Sequence, residues 1–151
     1  LNSCSRVSKR AARDLYLRSF EIVIRQAQPH AIMTSYNLLN GVHTSESAQL
    51  LEVILRREWG FDGLVMTDWV VDGMTRRDMK HPRATAAATI KAGNELFMPG
   101  GETDRQDLAG RGPGGRIAPE DGGVSLTRGE LEKQAARVIR AAWRIATIST
   151  S

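Results

Sequence analysis

Apolar residues recur at three- and four-residue steps from Ser5 to Gln28, while lysine and arginine occupy the positions between them. This spacing predicts an amphipathic helix. Pro29 should end it, because a proline disfavours helical backbone in the residue before it. The residues from Ala31 to Asn37 are mostly apolar without clean alternation. They predict a short strand that is covered on both faces, as strands in parallel sheets are.

The same helix-and-strand pattern repeats twice along the chain. Asn40 and Gly41 predict a turn, and Ser45 or Ser47 can cap a helix that runs to about Trp59. The later elements are predicted as strand Leu64–Trp69, helix Ala84–Ala92 and strand Glu95–Met98, then a glycine-rich loop at 110–123 and a capping box, Thr127 to Glu130. We expect the last helix to bury Leu131, Ala135, Val138, Ile139, Ala142 and Ile145.

Alternation of strands and helices with short connections predicts an α/β fold built from parallel βαβ units. Three strands cannot close a (β/α)8 barrel, which has eight. They could form a small open sheet, but each strand end carries polar residues in the way that an eight-stranded barrel uses them. Residues 1–151 are predicted to be an incomplete barrel domain of the TIM type. We expect strands near 31–36, 64–67 and 95–98 to be parallel and adjacent in chain order. An open barrel should also expose Met33, Val65 and Phe97.

Composition narrows the classes of partner. Of the 151 residues, 41% are hydrophobic and 25% are charged, which is typical of a folded domain. The net charge of +4 comes from basic residues spread among acidic ones, with only 5% aromatics, so we expect no nucleic-acid partner. No apolar run approaches the roughly 18 residues of a membrane span, so we expect no membrane partner. The single cysteine, Cys4, excludes a multi-cysteine zinc site, and we expect no metal or other cofactor.

Ligands of parallel α/β folds lie beyond the carboxyl ends of the strands. Three stretches end there: 35–37, 67–69 and 98–100. Asp68 is the only carboxylate at the end of an apolar strand, and Trp69 follows it directly. A carboxylate there can attack or stabilise a developing cation, and an indole face suits a sugar ring. The alternative interpretation is that Asp68 caps the next helix and Trp69 belongs to the core.

Four ordered segments resemble glycoside hydrolase family 3, most closely its β-glucosidase branch. They are AIMTSYNLLNG at 31–41, LEVILRREWGFDGLVMTDW at 51–69, AGNELFMPG at 92–100 and the final helix from Leu126 to Arg140. The resemblance implies that the three strands are the sixth to eighth of the barrel. It also implies that Asp68 is the catalytic nucleophile and Trp69 an aromatic wall on the aglycone side. Met33 and Tyr36 match strand-end residues that approach the sugar and the nucleophile.

The sequence departs from the family pattern in what surrounds the nucleophile. Earlier barrel segments that grip the sugar hydroxyls have no match, and Lys80-His81 resembles a sugar-binding pair but follows the nucleophile. The resemblance places the general acid/base outside this chain, in a second domain. Asp72, Glu46, Glu95 and Glu102 are the local candidates for that role, each a weak one.

The chain starts at Leu1 without a signal-peptide pattern, so we expect a processed terminus or a piece of a longer protein. Two functions remain open. The first is a fragment of a retaining β-glycosidase that acts on terminal β-linked sugars, is inactive alone, and needs the missing barrel half and second domain or self-association. The second is a non-catalytic binding or assembly module derived from such an enzyme.

Overall fold

A computed structural model describes residues 4–71, 83–115 and 124–148. Within these ranges, no helix is long and apolar enough to cross a membrane. The strands are β1 Cys4–Ser5, β2 Ala31–Met33, β3 Leu38–Leu39, β4 Val42–His43, β5 Leu64–Trp69 and β6 Leu96–Met98. The helices are α1 Lys9–Ala11, with a wider π-type stretch Ala12–Tyr16 after it, α2 Arg18–Ala27, α3 Gln49–Glu58, α4 Ala86–Ala92, α5 Glu102–Arg111 and α6 Arg128–Ile148.

The main sheet has the order β2-β5-β6, and both of its pairings are parallel. Ala31 pairs with Leu64, and Met66 pairs with Leu96. The predicted parallel strands, adjacent in chain order, are therefore confirmed. Each crossover contains a helix, α3 between β2 and β5 and α4 between β5 and β6, as the hydrophobic pattern indicated.

A second, smaller sheet was not predicted. β3 and β4 form an antiparallel hairpin around the predicted Asn40–Gly41 turn, and β1 adds to it in parallel. The side chain of Asn40 accepts a hydrogen bond from the backbone N–H of Val7 and donates one to its carbonyl, both at 2.9 Å. Because β1 uses the first residues in this way, the predicted helix from Ser5 begins only at Lys9, with Ser8 as its cap.

The helix boundaries differ from the sequence prediction in two further places. Ser47 caps the turn before α3, where its hydroxyl accepts from the N–H of Leu50, but the helix itself starts at Gln49. Helix α5 was missed altogether, since it is polar and has no buried residue of its own. Most of α5 lies before the predicted glycine-rich loop, and only its residues 110 and 111 fall within that loop. The loop's residues 116–123 lie outside the described ranges.

The core lies between the sheet and the helices. Val65 is 0% exposed and packs with Ile24, Leu51 and Ile54, so the expectation that Val65 would be exposed is wrong. Side chains alternate along a strand, and Val65 falls on the helix-covered face. Phe97, which was also expected to be exposed, is instead partly buried against the cluster around Ile90. Met33 follows Ile32, which packs against the core, and Met33 itself is 55% exposed as expected.

Helix α6 packs with a face that only partly matches the predicted one. Leu131 and Val138 are partly buried as expected, but the prediction is wrong for four residues that are exposed: Ala135, Ile139, Ala142 and Ile145. Gln134 is buried and Arg137 is largely buried instead. The amide of Gln134 donates to the carbonyl of Ile90 at 3.0 Å. Polar residues are buried here because each of them has a partner on the sheet or on its helices.

Arg137 reaches a buried ion cluster at the amino-terminal end of the strands. The Glu95 carboxylate, 0% exposed, accepts from Arg56 at 2.6 Å, from Arg137 at 3.1 Å and from the Val65 N–H at 2.6 Å. Burial opposes ionisation of Glu52, but hydrogen bonds from Arg137 and Lys133 outweigh it and lower the pKa of Glu52 to about 2. The cluster joins β5, α3, α6 and the residue before β6.

We expect Glu95→Ala to lower the free energy of unfolding by about 3–5 kcal/mol, because it leaves the guanidinium group of Arg56 near the core without its carboxylate, while Arg137 keeps only the carboxylate of Glu52. Urea denaturation followed by circular dichroism measures the change. Glu102→Ala is the matched control, since the Glu102 side chain is 65% exposed in its pair with Arg105. A Glu95→Ala protein as stable as the Glu102→Ala protein would contradict this account of the cluster.

Candidate functional site

Three sequence-predicted site residues meet at the carboxyl end of the main sheet. Asp68 and Trp69 are the last two residues of β5, and Trp69 pairs in register with Met98 at the end of β6. Tyr36 follows β2 by three residues, and its hydroxyl donates to the carbonyl of Trp69 at 2.5 Å. The β2 and β6 chain ends thus hold the end of β5 from both sides.

The Asp68 carboxylate lies beside the phenol of Tyr36. Burial raises the pKa of Tyr36, and the nearby Asp68 carboxylate raises it further, since a negative neighbour disfavours the phenolate. The Oδ1 atom of Asp68 accepts from the N–H of Trp69 at 2.7 Å. The carboxylate is only partly covered, so it remains accessible from the end of the sheet.

The alternative roles for these two residues fit poorly. Trp69 is 58% exposed and does not belong to the core. Helix α4 is capped by Thr85, whose Oγ1 accepts from the N–H of Ala88. An exposed indole next to a partly covered carboxylate is an arrangement that can bind a sugar face and present a nucleophile to it.

Met33 lies farther from the strand ends. It is the last residue of β2 and pairs in register with Met66, two positions before Asp68. The register of β5 shifts between Met66 and Trp69, so simple alternation does not decide which face Asp68 shares with Met33. Met33 is 55% exposed, and the structure does not bring it together with Tyr36, Asp68 and Trp69 through any described hydrogen bond.

The described acid/base candidates are engaged in other contacts. Glu46 accepts from the N–H of Thr85 at 2.7 Å, so it serves the start of α4 and not, as expected, that of its own helix. Burial raises the pKa of Glu46. Glu95 lies in the ion cluster at the opposite end of the strands, and Glu102 pairs with Arg105. Asp72, Lys80 and His81 lie outside the described residues.

Two features of the site had no signal in the sequence. Val70 has a positive φ of 50° without being glycine. Thr67, 1% exposed, accepts on Oγ1 from the N–H of Met98 at 3.0 Å. Across the ranges that the structure describes, no group of three or more His, Cys, Asp or Glu side chains is placed to hold a metal ion.

Comparison with known proteins places these residues in a family context. The model of the glycosyl hydrolase family 3 N-terminal domain matches residues 2–140. The exo-α-(1→6)-L-arabinopyranosidase of Bifidobacterium longum is 45% identical over 102 residues, which are 68% of this chain and 12% of that protein. A Rhizobium radiobacter β-glucosidase is 46% identical over 101 residues, 67% of this chain and 11% of that protein.

Solved structures agree with the described fold. The Kluyveromyces marxianus β-glucosidase in complex with glucose superposes with a TM-score of 0.71 at 33% identity, over 92% of this chain and 15% of that chain. The chain thus spans about an eighth of the curated relatives it matches and a similarly small share of this structure.

We expect Asp68→Asn to lower the pKa of Tyr36, because it removes the negative charge that disfavours the phenolate. Ultraviolet titration at the phenolate band measures this pKa. Tyr16→Phe serves as the background, since it leaves Tyr36 as the only tyrosine. Asp62→Asn, which changes a carboxylate just before the opposite end of β5, should leave the titration unchanged. Equal effects of the two substitutions would contradict the contact between Asp68 and Tyr36.

Proposed function

The chain belongs to glycosyl hydrolase family 3, and from that premise we propose that it is the nucleophile-bearing part of a retaining β-glycosidase that acts on terminal β-linked sugars. The observation that carries the proposal is the partly covered Asp68 carboxylate at the carboxyl end of β5, beside Tyr36 and the exposed Trp69. This end of a parallel barrel is where chemistry takes place in the fold.

In the proposed reaction, Asp68 attacks the anomeric carbon while the bond to the aglycone oxygen breaks. That oxygen takes a proton from a general acid, and water later releases the sugar from Asp68. The phenol of Tyr36 orients the strand end through the Trp69 carbonyl. The indole of Trp69 offers a flat apolar surface to the aglycone, and Met33 lines the approach.

We propose that the identity of the sugar is read outside this chain. The arabinopyranosidase and the β-glucosidase are 45% and 46% identical to it, although their names specify different sugars. A segment equally similar to both supports a shared role, such as the nucleophile. A β-glucoside or the end of a β-linked oligosaccharide is the proposed substrate.

The proposed partners are the remaining barrel segments and a second domain, in the same protein or supplied by association. In a retaining glycosidase, the carboxyl groups of the nucleophile and of the general acid/base lie roughly 5–5.5 Å apart. Glu46, Glu95 and Glu102 are all bonded to other groups. We therefore propose that the general acid/base lies outside this chain.

We expect the isolated chain to hydrolyse an aryl β-glucoside no faster than buffer. Loss of general acid assistance costs on the order of 10²- to 10⁴-fold, and loss of the groups that orient the sugar costs a further large factor. Release of the aryl alcohol, followed by absorbance, measures the rate. Turnover that disappears in Asp68→Asn would show that this chain supplies its own acid.

The assignment of Asp68 as nucleophile is tested in a chimera, which supplies the remaining barrel segments and the second domain. Residues 31–100 replace the corresponding segment of the K. marxianus β-glucosidase. We expect the chimera to hydrolyse aryl β-glucosides and Asp68→Asn to reduce kcat on the order of 10⁴-fold, because a covalent step loses its attacking group.

The control for the chimera is Asp62→Asn, which should retain activity. Asp62 lies before β5, at the end of the strand opposite to Asp68, and it falls within the transferred residues. An active chimera that tolerates Asp68→Asn would contradict the assignment of Asp68 as nucleophile.

A further inference from the structure

Val70 has a backbone conformation that its side chain disfavours. Its φ of 50° lies in the left-handed region, where a β-branched residue is an outlier. The other two non-glycine residues with positive φ among those described are Gln28, which ends α2, and Asn40, in the hairpin turn. Of the three, Val70 alone is β-branched, and it follows the proposed nucleophile by two positions.

The peptide unit between Trp69 and Val70 is bonded from both sides. Its carbonyl accepts from the hydroxyl of Tyr36 at 2.5 Å, and its N–H donates to the carbonyl of Met98 at 2.7 Å. Met98 is fixed in turn, because its own N–H donates to Thr67 Oγ1 at 3.0 Å. We call these residues, Tyr36, Thr67, Val70 and Met98, the clasp.

The clasp accounts for the conformation of Val70. Strained backbone persists only where surrounding bonds determine it. A turn to negative φ at Val70 would have to move either the bonded peptide, with loss of the hydrogen bonds to Tyr36 and Met98, or the chain that continues to Val71, which is buried. The neighbouring peptide N–H, that of Trp69, is the group that donates to Asp68 Oδ1. The direction of the carboxylate is therefore tied to the bonded peptide.

We propose that Val70 is a positioning residue, whose left-handed backbone is held by the clasp and fixes the direction in which Asp68 and Trp69 are presented at the end of the sheet. This inference rests on the proposed function only for the roles of Asp68 as nucleophile and Trp69 as sugar-binding surface. The clasp itself is tested on the full chain without any substrate, so its failure is distinct from a failure of the glycosidase assignment.

The first test compares two valines of equal exposure. Val70 and Val42 are each 47% exposed, but only Val70 has positive φ. We expect Val70→Gly to raise the equilibrium constant for folding about threefold to tenfold, because glycine adopts this conformation without strain. Val42→Gly should lower it about threefold, as glycine does in a strand. Urea denaturation measures both, and a loss of stability in Val70→Gly like that in Val42→Gly would overturn the proposal.

The second test asks whether the clasp positions the carboxylate or only stabilises the fold. Thr67→Val keeps the shape of the buried side chain but removes the acceptor for the Met98 N–H. In the Tyr16→Phe background, we expect it to shift the ultraviolet titration of Tyr36 toward that of free tyrosine, since Asp68 and the strand end move away. Thr67→Ser retains the acceptor and should keep the original titration. A folded Thr67→Val protein with an unchanged titration of Tyr36 would overturn the proposal.

Discussion

The fold depends on one buried carboxylate. The side chain of Glu95 has no exposure to solvent, and its two oxygens accept from Arg56, Arg137 and the backbone of Val65. A buried charge without partners is costly. Burial of the Glu95 carboxylate therefore requires all three donors to be in place. Since the donors come from β5, α3 and α6, satisfying Glu95 requires that the sheet and two of its helices be assembled together.

The charged residues of one family-like segment are used in contacts between elements, although the proposed chemistry uses one aspartate. In LRREWGFDG, Arg56 binds Glu95, Glu58 binds Arg13, and Asp62 binds Arg144. Arg56 belongs to the buried cluster at the amino-terminal end of the strands, whereas the pairs of Glu58 and Asp62 are half-exposed and contribute less. Asp68 lies at the other end, where it has no ion pair in the described parts of the chain. The buried cluster and the proposed site thus lie at opposite ends of β5, as stability and chemistry do in barrels generally.

The sequence predicted the parts of this structure that depend on local pattern. Three apolar strands, their parallel order and the meeting of Tyr36, Asp68 and Trp69 followed from periodicity and from the rule for strand ends. The buried face of α6 did not, because Gln134 and Arg137 look like solvent-exposed residues until their distant partners are known. Helix α5 lacks an apolar stripe, and the backbone of Val70 is determined by bonds to Tyr36 and Met98, which are distant in sequence.

The placement of α6 has a consequence for the order of folding. The strand pairings join residues about thirty positions apart, so successive units can form soon after each is complete. The bond from Arg137 to Glu52 spans 85 positions, and that from Arg144 to Asp62 spans 82. Docking of the last helix therefore closes the longest of these loops. Until α6 docks, the carboxylates of Glu52 and Glu95 lack their Arg137 partner, so the ion cluster of the earlier units is complete only when the last helix is in place.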